Sequence, residues 1–356
     1  MTRDELERRN VGENLDALMT LDPRGYGVCR ILYAGARAFA GEPVAMHAAE
    51  ALCRRVERGG VVYILVGFVL LPHQVPEMDG SVSAILLARA LVLAFDAKPV
   101  IVCPPDSVEA FSRCANVVGL HSYQDLAAAL RLPLSVGIVP FTKDRADAAE
   151  QARRLLDACP PAAAVAVEAC GANARGVYHN AMGDDVSALQ AKSDVLWTAL
   201  RARGVLSIAI GDLGNEIGMG AIGPHIRRYV PFTAGGECRC GCGGGILSAT
   251  TADNVITATC SDWGCYALMA ALAYLKKDMN ILHREEMESE VMRVLSRNGM
   301  IDMTGSLLPG VDGFDTRMNV GVVSLMRQCT GYAIHRSHES ERWFGPVLAK
   351  GFFDRS

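Results

Sequence analysis

Several features that would place the chain in a specialised class are missing from its sequence. No run of eighteen or more apolar residues occurs among the 356 residues, so we expect no membrane-spanning helix. The formal net charge of -4 lacks the basic excess that neutralises phosphates, so no nucleic-acid partner is expected. The first residues are highly charged and contain no apolar run typical of a signal peptide. These absences predict a soluble, cytoplasmic protein without a membrane partner.

The signatures of several enzyme classes are also missing. No Gly-x-Gly-x-x-Gly segment directly joins a predicted strand to a helix, and no Lys-Ser/Thr pair follows a glycine loop, so nucleotide binding is not expected. No Ser-His-Asp or Cys-His arrangement can be recognised from spacing, which leaves nucleophilic catalysis without positive support. Histidine is sparse near the polar loops, where a surface position would explain His73 or His179.

Cysteine is plentiful, but its pattern does not predict disulfides. Most of the twelve cysteines lie in apolar helical or strand contexts, where a thiol behaves as a small hydrophobe, and a reducing cytoplasm suits them. Cys238, Cys240 and Cys242 alternate along the chain, unlike the wider gaps typical of zinc sites. Only Cys260 or His225 suggests itself as a fourth ligand, so the sequence favours no zinc site.

Apolar runs separated by helical patterns predict the fold. Six runs have the continuous apolar character of strands buried on both faces: residues 61–66, 98–103, 134–139, 163–168, 205–210 and 254–259. The helical segments between them predict βαβ units, and hence an α/β protein with a mainly parallel sheet flanked by helices. Two of these helices are expected at residues 84–94, with Ser81 as a cap, and at residues 186–203.

The domain organisation is expected to be compact, because no long linker or internal repeat interrupts the chain. Residues 1–275 are predicted to form the main α/β domain, which carries acidic glycine-rich loops. Residues 276–356 are predicted to form a smaller C-terminal α/β part of helices and loops packed on it. A single continuous domain is the alternative.

Polar side chains gather where the predicted strands end. Ligands bind beyond the carboxyl ends of strands in open α/β sheets. Carboxylates beside glycines, at several such ends, are the composition of a site for a hard divalent cation. The segments concerned are residues 77–80, 168–180, 212–216 and 261–264.

Simpler interpretations exist for each segment. Asp212 and Glu216 could complement a helix dipole, although the four glycines between residues 211 and 220 exceed what a cap requires. The other simpler interpretations are a solvated turn for Glu77 and Asp79, helix capping for Asp184 and Asp185, and core packing for Tyr178 and Trp263.

Four segments resemble the D-glutamate cyclase family, in its C-terminal, catalytic-type domain. The most specific is Gly-Asp-Leu-Gly-Asn-Glu-Ile-Gly-Met-Gly at residues 211–220, followed by Ser-Asp-Trp-Gly-Cys-Tyr-Ala-Leu at residues 261–268. Residues 77–81 and 168–180 match more loosely. The similarity extends from about Leu15 to about Cys329 and includes residues 299–313 with Asp302 and Asp312.

The resemblance implies a lyase that closes D-glutamate to 5-oxo-D-proline with loss of water. It also implies an α/β fold like the core of divalent-metal phosphoesterases, Mn²⁺ or Mg²⁺ as cofactor, and a small amino-acid-like substrate. A homodimer is one expectation for the assembly.

Roles for individual residues follow from this reaction. The expected metal ligands are Asp79, Glu168, Asp212 and Glu216. The expected catalytic residues are Asp185, as a base made effective by burial, with Asn215, Tyr178 and Arg175. The expected substrate-binding residues are Gly80, Asn180, Gly214, Gly218, Ser261 and Trp263.

The sequence departs from the family pattern at several of these positions. Arg175 replaces an aspartate, Ala169 replaces an arginine, and Asp262 replaces an asparagine. Met78 and Ser81 replace a threonine and a proline. The alternatives are therefore a metal-dependent hydrolase of a small phosphate or amide metabolite, and a non-catalytic homologue that binds a metal or metabolite.

Overall fold

The computed structural model describes residues 1–336 and 341–355. The strands are β1 (Val61–Gly67), β2 (Val69–Leu70), β3 (Val75–Pro76), β4 (Lys98–Cys103), β5 (His121–Tyr123), β6 (Ser135–Pro140), β7 (Ala163–Ala169), β8 (Leu206–Gly211), β9 (Asn254–Thr257), β10 (Gly310–Val311) and β11 (Phe314–Asp315). The helices are α1 (Arg3–Met19), α2 (Val28–Ala40), α3 (Val44–Arg55), α4 (Ser81–Phe95), α5 (Val108–Val117), α6 (Leu126–Arg131), α7 (Arg145–Ala158), α8 (Ser193–Ala202), α9 (Gly223–Tyr229), α10 (Ser261–Lys276), α11 (Glu285–Arg297), α12 (Thr316–Arg336) and α13 (Glu341–Ala349).

A seven-stranded parallel sheet forms the centre of the molecule, in the order β5-β6-β4-β1-β7-β8-β9. β1 and β7 lie side by side, with Val62 opposite Ala163. Apart from Glu168 near the end of β7, their residues are apolar, and nearly all are buried, as expected for strands covered by helices on both faces. The predicted α/β class with a mainly parallel sheet flanked by helices is confirmed, and the likeness to phosphoesterases stays a prediction.

The helices enclose the sheet and extend its core. α10 is buried from Ser261 to Tyr274 and contacts α1, α3, α4 and α12. α11 and α12 pack against α5 and α10, and the short hairpin of β10 and β11 precedes α12. This small C-terminal α/β part was predicted, and its apolar residues join the same core cluster as the sheet. Among the described residues, no helix has the length and hydropathy needed to cross a membrane.

The helix predicted at residues 186–203 is wrong in its first half, because α8 begins at Ser193. In the segment before α8, side-chain oxygens accept hydrogen bonds from nearby backbone amides, which a helix would direct to backbone carbonyls. Asn180 Oδ1 accepts two such amides at 3.0 and 2.9 Å, and Asp185 Oδ1 accepts the amide of Ser187 at 2.8 Å. Local bonds of this kind compete with helix formation.

Two further details differ from expectation. Gly80, with φ of +71°, occupies the N-cap position of α4, so the prediction of Ser81 as the cap is wrong. Ser81 is the first residue of the helix, and its hydroxyl donates to the carbonyl of Glu77 at 3.0 Å. β5 is a three-residue edge strand that the apolar pattern did not reveal.

Candidate metal centre and active site

The strand order places a topological switch point between β1 and β7. From β1 the chain builds one half of the sheet with β4, the edge strand β5 and then β6, which lies between β5 and β4; it then returns to β7 and continues through β8 to β9. Crevices at such switch points are the usual ligand sites of doubly wound sheets. Asp79 follows β1, Glu168 lies at the end of β7, and Asp212 directly follows β8. Three of the predicted metal ligands therefore come from strands around this point.

Carboxylate oxygens converge there in two overlapping groups. One oxygen each from Asp79, Asp212 and Asp312 lie within 4.8 Å of one another. One oxygen each from Glu168, Asp212 and Glu216 do the same. Asp212 belongs to both groups. The structure thus brings together the four residues expected to bind metal, and it adds Asp312.

Asp79 is held by the N-terminus of α10. Its Oδ1 and Oδ2 accept the amides of Asp262 and Ser261, both at 2.9 Å. Asp262 in turn accepts the amide of Ser83, in the first turn of α4, at 2.8 Å. Each helix is therefore capped by a carboxylate that belongs to the start of the other, which favours negative charge at both ends.

Glu168 has a left-handed backbone, with φ of +43°, at the end of β7. Its Oε2 accepts the hydroxyl of Ser261 at 2.6 Å. Gly80 approaches so closely that an added Cβ would lie 2.5 Å from the Glu168 Cβ. A non-glycine residue in this conformation is strained and persists only where its surroundings fix it, as they commonly do at functional sites.

Asp212 and Glu216 have different surroundings within the acidic glycine loop, which we define as residues 211–220. Glu216 accepts the amides of Asp212, Leu213 and Gly214 at 2.8, 2.7 and 2.6 Å, so its carboxylate shapes the loop. Among the described residues none donates a hydrogen bond to the Asp212 carboxylate. Asp212 is also partly exposed. It is the group most available to a ligand.

Burial and mutual repulsion dominate the electrostatics of this centre. Removal from water, together with the neighbouring carboxylates, raises the pKa values of Asp79, Glu168 and Asp212 well above their ordinary values. Several carboxylates cannot all be ionised in so small a volume without a compensating cation. The chemistry of the donor set fits a hard divalent ion, which prefers oxygen ligands.

Arg24 supplies one positive charge to this region. Its Nη2 donates to the Oδ2 and to the backbone carbonyl of Asp312, each at 2.6 Å. The guanidinium lies 4.7 Å from the centre of the Phe314 ring. Burial lowers the pKa of Arg24, but the nearby carboxylates of Asp312 and Asp212 raise it by more. The pKa of Arg24 therefore lies above its ordinary value. One arginine does not balance the whole cluster.

The predicted polar residues Asn215 and Tyr178 have structural contacts. The Asn215 side chain donates to the carbonyl of His179 at 2.9 Å, which ties the acidic glycine loop to the segment after β7. Tyr178 is fully buried, its hydroxyl donates to Asp194, and Lys192 lies over its ring. These contacts leave the two side chains occupied with positioning the loops.

Asp185, Arg175 and Asn180 lie outside the carboxylate cluster. Asp185 is exposed, so it lacks the burial on which its predicted role as a base depends. Arg175 is exposed beside Gly244. Asn180 donates to Asp184 at 3.1 Å and shapes the turn around it.

The remaining predicted residues, Gly214, Gly218 and Trp263, have close packing contacts. Gly214 and Gly218 have positive φ values of +130° and +92°, and a Cβ on Gly218 would lie 2.3 Å from the Cβ of Ala209. Trp263 is fully buried, and its indole nitrogen donates to Asn319 at 2.7 Å. Glycine here allows the loop to approach the sheet, whereas Trp263 has a core position.

The sequence did not assign roles to Asp312 and Arg24. Asp312 was noted within the segment that resembles the family, but no local pattern connects it with the strand ends. Arg24 lies in the loop between α1 and α2, far along the chain from every other member. Only the folded chain places the two together.

Comparison with known proteins identifies the family. The sequence profile of the family described as D-glutamate cyclase-like, C-terminal, matches residues 15–327, which are most of the chain. The chain belongs to this family. It is also 35% identical over 112 residues to D-glutamate cyclase, mitochondrial, from Homo sapiens. That alignment covers 31% of this chain and 17% of the human protein, so the chain matches a small part of that relative. The predicted family is confirmed.

Proposed function

We propose that the protein is a lyase that cyclises D-glutamate, or a closely similar amino acid, with the help of Mn²⁺ or Mg²⁺. The observation that carries this proposal is the convergence of Asp79, Glu168, Asp212 and Asp312 at the switch point of the sheet. Membership of the D-glutamate cyclase-like family supports the choice of reaction.

The reaction joins two ends of one substrate molecule. A bond forms between the amine nitrogen and the side-chain carboxyl carbon, and one carbon–oxygen bond of that carboxyl group breaks. The two protons lost by the ammonium group leave with the released oxygen as water, so atoms and charge balance. The site must therefore hold two carboxylates and an ammonium group, and it must move protons between the nitrogen and the oxygen.

Asp79, Glu168, Asp212 and Asp312 would hold the cation. A divalent ion bound there supplies Lewis-acid polarisation of a carboxyl group. Asp212 is partly exposed and has no competing donor among the described residues, so it lies at the open side of the centre. Glu216 keeps the acidic glycine loop in shape through its three amide bonds.

We propose that the positive charge of Arg24 attracts a carboxylate group of the substrate. Ala169 stands where the family pattern has an arginine, and its methyl group can hold no anion. The guanidinium of Arg24 lies beside Asp312 and acts electrostatically on Asp212. A fixed positive charge near the cluster lowers the cost of bringing an anion to it.

The test is production of 5-oxoproline from D-glutamate and from L-glutamate, with Mn²⁺, with Mg²⁺ and with neither. Asp212→Asn should lower turnover by about 100-fold or more, because it removes a ligand without changing shape. The matched control is Asp147→Asn, which makes the same change at an exposed position of α7.

Activity that is indifferent to metal and to Asp212→Asn would refute the proposal. Turnover of phosphate esters or amides in place of glutamate would point to the hydrolase alternative. Binding of Mn²⁺ without turnover of any of these substrates would identify a non-catalytic homologue.

A further inference from the structure

A second group of metal-binding side chains lies apart from the carboxylates. Cys238, Cys240 and Cys242 were not favoured as a zinc site, because their spacing is unusual and no fourth ligand was evident. The structure provides that ligand in His179, which is fully buried, so its interpretation as a surface residue is wrong. One ligand atom from each of the four residues lies within 4.8 Å of all the others.

The candidates suggested by the sequence have other positions. Cys260 is fully buried at the N-cap of α10. His225 lies in α9, where its Nε2 contacts the carbonyl of Ile31 at 2.8 Å. Neither belongs to the group formed by the three cysteines and His179.

The distances between the ligand atoms lie close to the edges of a zinc tetrahedron, and two of them are somewhat shorter. With Zn–S of about 2.3 Å and Zn–N of about 2.0–2.1 Å, tetrahedral geometry requires roughly 3.8 Å between sulfurs and roughly 3.6 Å from sulfur to nitrogen. The Sγ of Cys238 lies 3.4 Å from that of Cys242 and 3.7 Å from that of Cys240. The His179 Nε2 lies 3.1 and 3.7 Å from the sulfurs of Cys240 and Cys242.

The chain around the cysteines is built to turn them toward one point. Within the cysteine loop, which we define as residues 238–245, Gly241, Gly243 and Gly245 have positive φ values of +75°, +74° and +68°. Backbone amides approach the sulfurs, since the amide of Gly244 points to Cys242 Sγ at 3.4 Å. Amide donors of this kind stabilise the negative charge of thiolates.

A buried side chain completes the surroundings. The Nδ2 of Asn173 donates to Cys242 Sγ at 3.3 Å and to the carbonyl of Gly245 at 2.7 Å. A Cβ on Gly244 would lie 2.4 Å from this Nδ2, so only glycine allows the approach. Asn173 is not one of the four candidate ligands, but it holds the sulfur of Cys242 in position, as residues around metal ligands commonly do.

We propose that His179, Cys238, Cys240 and Cys242 bind one structural Zn²⁺ ion. Thiolate and imidazole ligands suit zinc and not the hard cations expected at the carboxylates. Four protein ligands leave no open position for a substrate, which identifies a structural site and not a catalytic one. The proposal does not depend on the reaction assigned above.

The zinc ion would join two loops that support the acidic glycine loop. His179 belongs to the segment after β7, and its carbonyl accepts the Asn215 side chain. The cysteines belong to the segment between α9 and β9, in which the amide of Ser248 donates to the carbonyl of Gly214 at 2.9 Å. Binding of zinc would therefore fix two supports of the loop that carries Asp212.

The experiment measures the metal content of the full chain, purified under reducing conditions. One zinc per chain is expected by mass spectrometry. Replacement by Co²⁺ should give near-ultraviolet thiolate-to-metal absorption together with the visible bands of a tetrahedral ion. Neither group of converging carboxylates includes a cysteine, so these bands distinguish the two sites.

Variants locate the ion. Cys240→Ser should reduce zinc to near zero and abolish the thiolate bands, whereas Cys53→Ser, a matched control at a partly buried thiol of α3, should change neither. Asp212→Asn should retain the zinc. Chelation should increase hydrogen exchange at residues 170–185 and 232–251.

Wild-type protein that carries no zinc and gives no thiolate bands with Co²⁺ would overturn the proposal. A Cys238–Cys242 disulfide in the zinc-free purified protein, or bands that persist in Cys240→Ser, would do the same. If Cys240→Ser does not fold, the Co²⁺ spectrum of the wild type and the chelator-dependent release of three reactive thiols decide the question.

Discussion

At the scale of single residues, Gly80 shows how closely the start of α4 approaches the end of β7. A Cβ there would lie 2.5 Å from the Glu168 Cβ and 2.9 Å from the Val167 carbonyl oxygen, and φ is +71°. Gly59 has a similar φ of +78°, but a Cβ would meet nothing within 4 Å. A substitution at Gly59 therefore costs only backbone strain, whereas a substitution at Gly80 costs both backbone strain and steric overlap.

We therefore expect Gly80→Ala to lower the free energy of unfolding by about 2–4 kcal/mol, and Gly59→Ala by about 1 kcal/mol. The first substitution adds overpacking to the strain of a left-handed backbone, whereas the second adds only the strain. Urea unfolding of both variants measures the difference. Equal losses would show that Glu168 can move away at little cost.

The ion pair of Arg24 and Asp312 gives a second prediction. Arg24→Met leaves a nearly buried carboxylate without its partner, so we expect a loss of about 2–4 kcal/mol in the free energy of unfolding. Adding Asp312→Asn should recover part of that loss, because the unpaired charge is then absent. A double-mutant cycle without added Mn²⁺ or Mg²⁺ measures this coupling, and additive losses would contradict it.

The residues that could be predicted share one property, which is a position beside a strong local pattern. Asp79, Glu168 and Asp212 each follow a strand whose apolar run is visible in the sequence. Asp312 and Arg24 follow no strand of the sheet, and their role depends on contacts between distant parts of the chain. The position of His179 beside the three cysteines could not be predicted for the same reason, since these partners are some sixty residues away along the chain.

At the scale of elements, the N-terminus of α3 is capped from another helix. Asp16, in α1, accepts the amides of Val44 and Ala45 at 2.7 and 3.2 Å and the hydroxyl of Tyr33 at 3.0 Å. Burial nevertheless raises the pKa of Asp16 to about 6 from an ordinary value of 3.8. Protonation is therefore easier in the folded chain than in the unfolded chain.

This pKa predicts the direction of a pH effect. A pKa that is higher in the folded state gives stability that is fully present below the unfolded value and is lost as the pH rises through about 6. The wild type should lose about 1 kcal/mol relative to Asp16→Asn between pH 5 and pH 8. The measurement is the urea unfolding midpoint of both proteins at each pH, because the difference between the two proteins cancels the contributions of the other titrating groups. A relative gain for the wild type would contradict the prediction.

Element boundaries were predictable where apolar and polar patterns coincide, and not where side chains bond to their own backbone. β8 at residues 206–211 and α4 at residues 81–95 lie close to the strand predicted at residues 205–210 and the helix predicted at residues 84–94. The start of α8 was placed too early, because Asn180, Asp185 and their neighbours form turns through local hydrogen bonds. Three residues were also too few to reveal the edge strand β5.

At the scale of the whole molecule, binding of Mn²⁺ at the carboxylate centre should stabilise the fold. A cation that binds only the folded chain adds about 2.7 kcal/mol at 100 times its dissociation constant, which corresponds to roughly 4 °C in Tm for a chain of this length. Asp212→Asn should remove most of this increase, whereas Asp147→Asn should keep it. Thermal unfolding with and without Mn²⁺ tests both, and an equal increase in all three proteins would place the ion elsewhere.

The pairing of β1 with β7 also determines when the carboxylate centre can form during synthesis. Val62 pairs with Ala163, so the chain between them must be made before the two central strands meet. When the ribosome has synthesised only β1 to β6, the nascent chain contains Asp79 but not yet Glu168, Asp212 or Asp312. Such distant pairings are slow steps in folding. Binding of the proposed cation would therefore come late, and it could stabilise finished chains but could not guide the folding of incomplete ones.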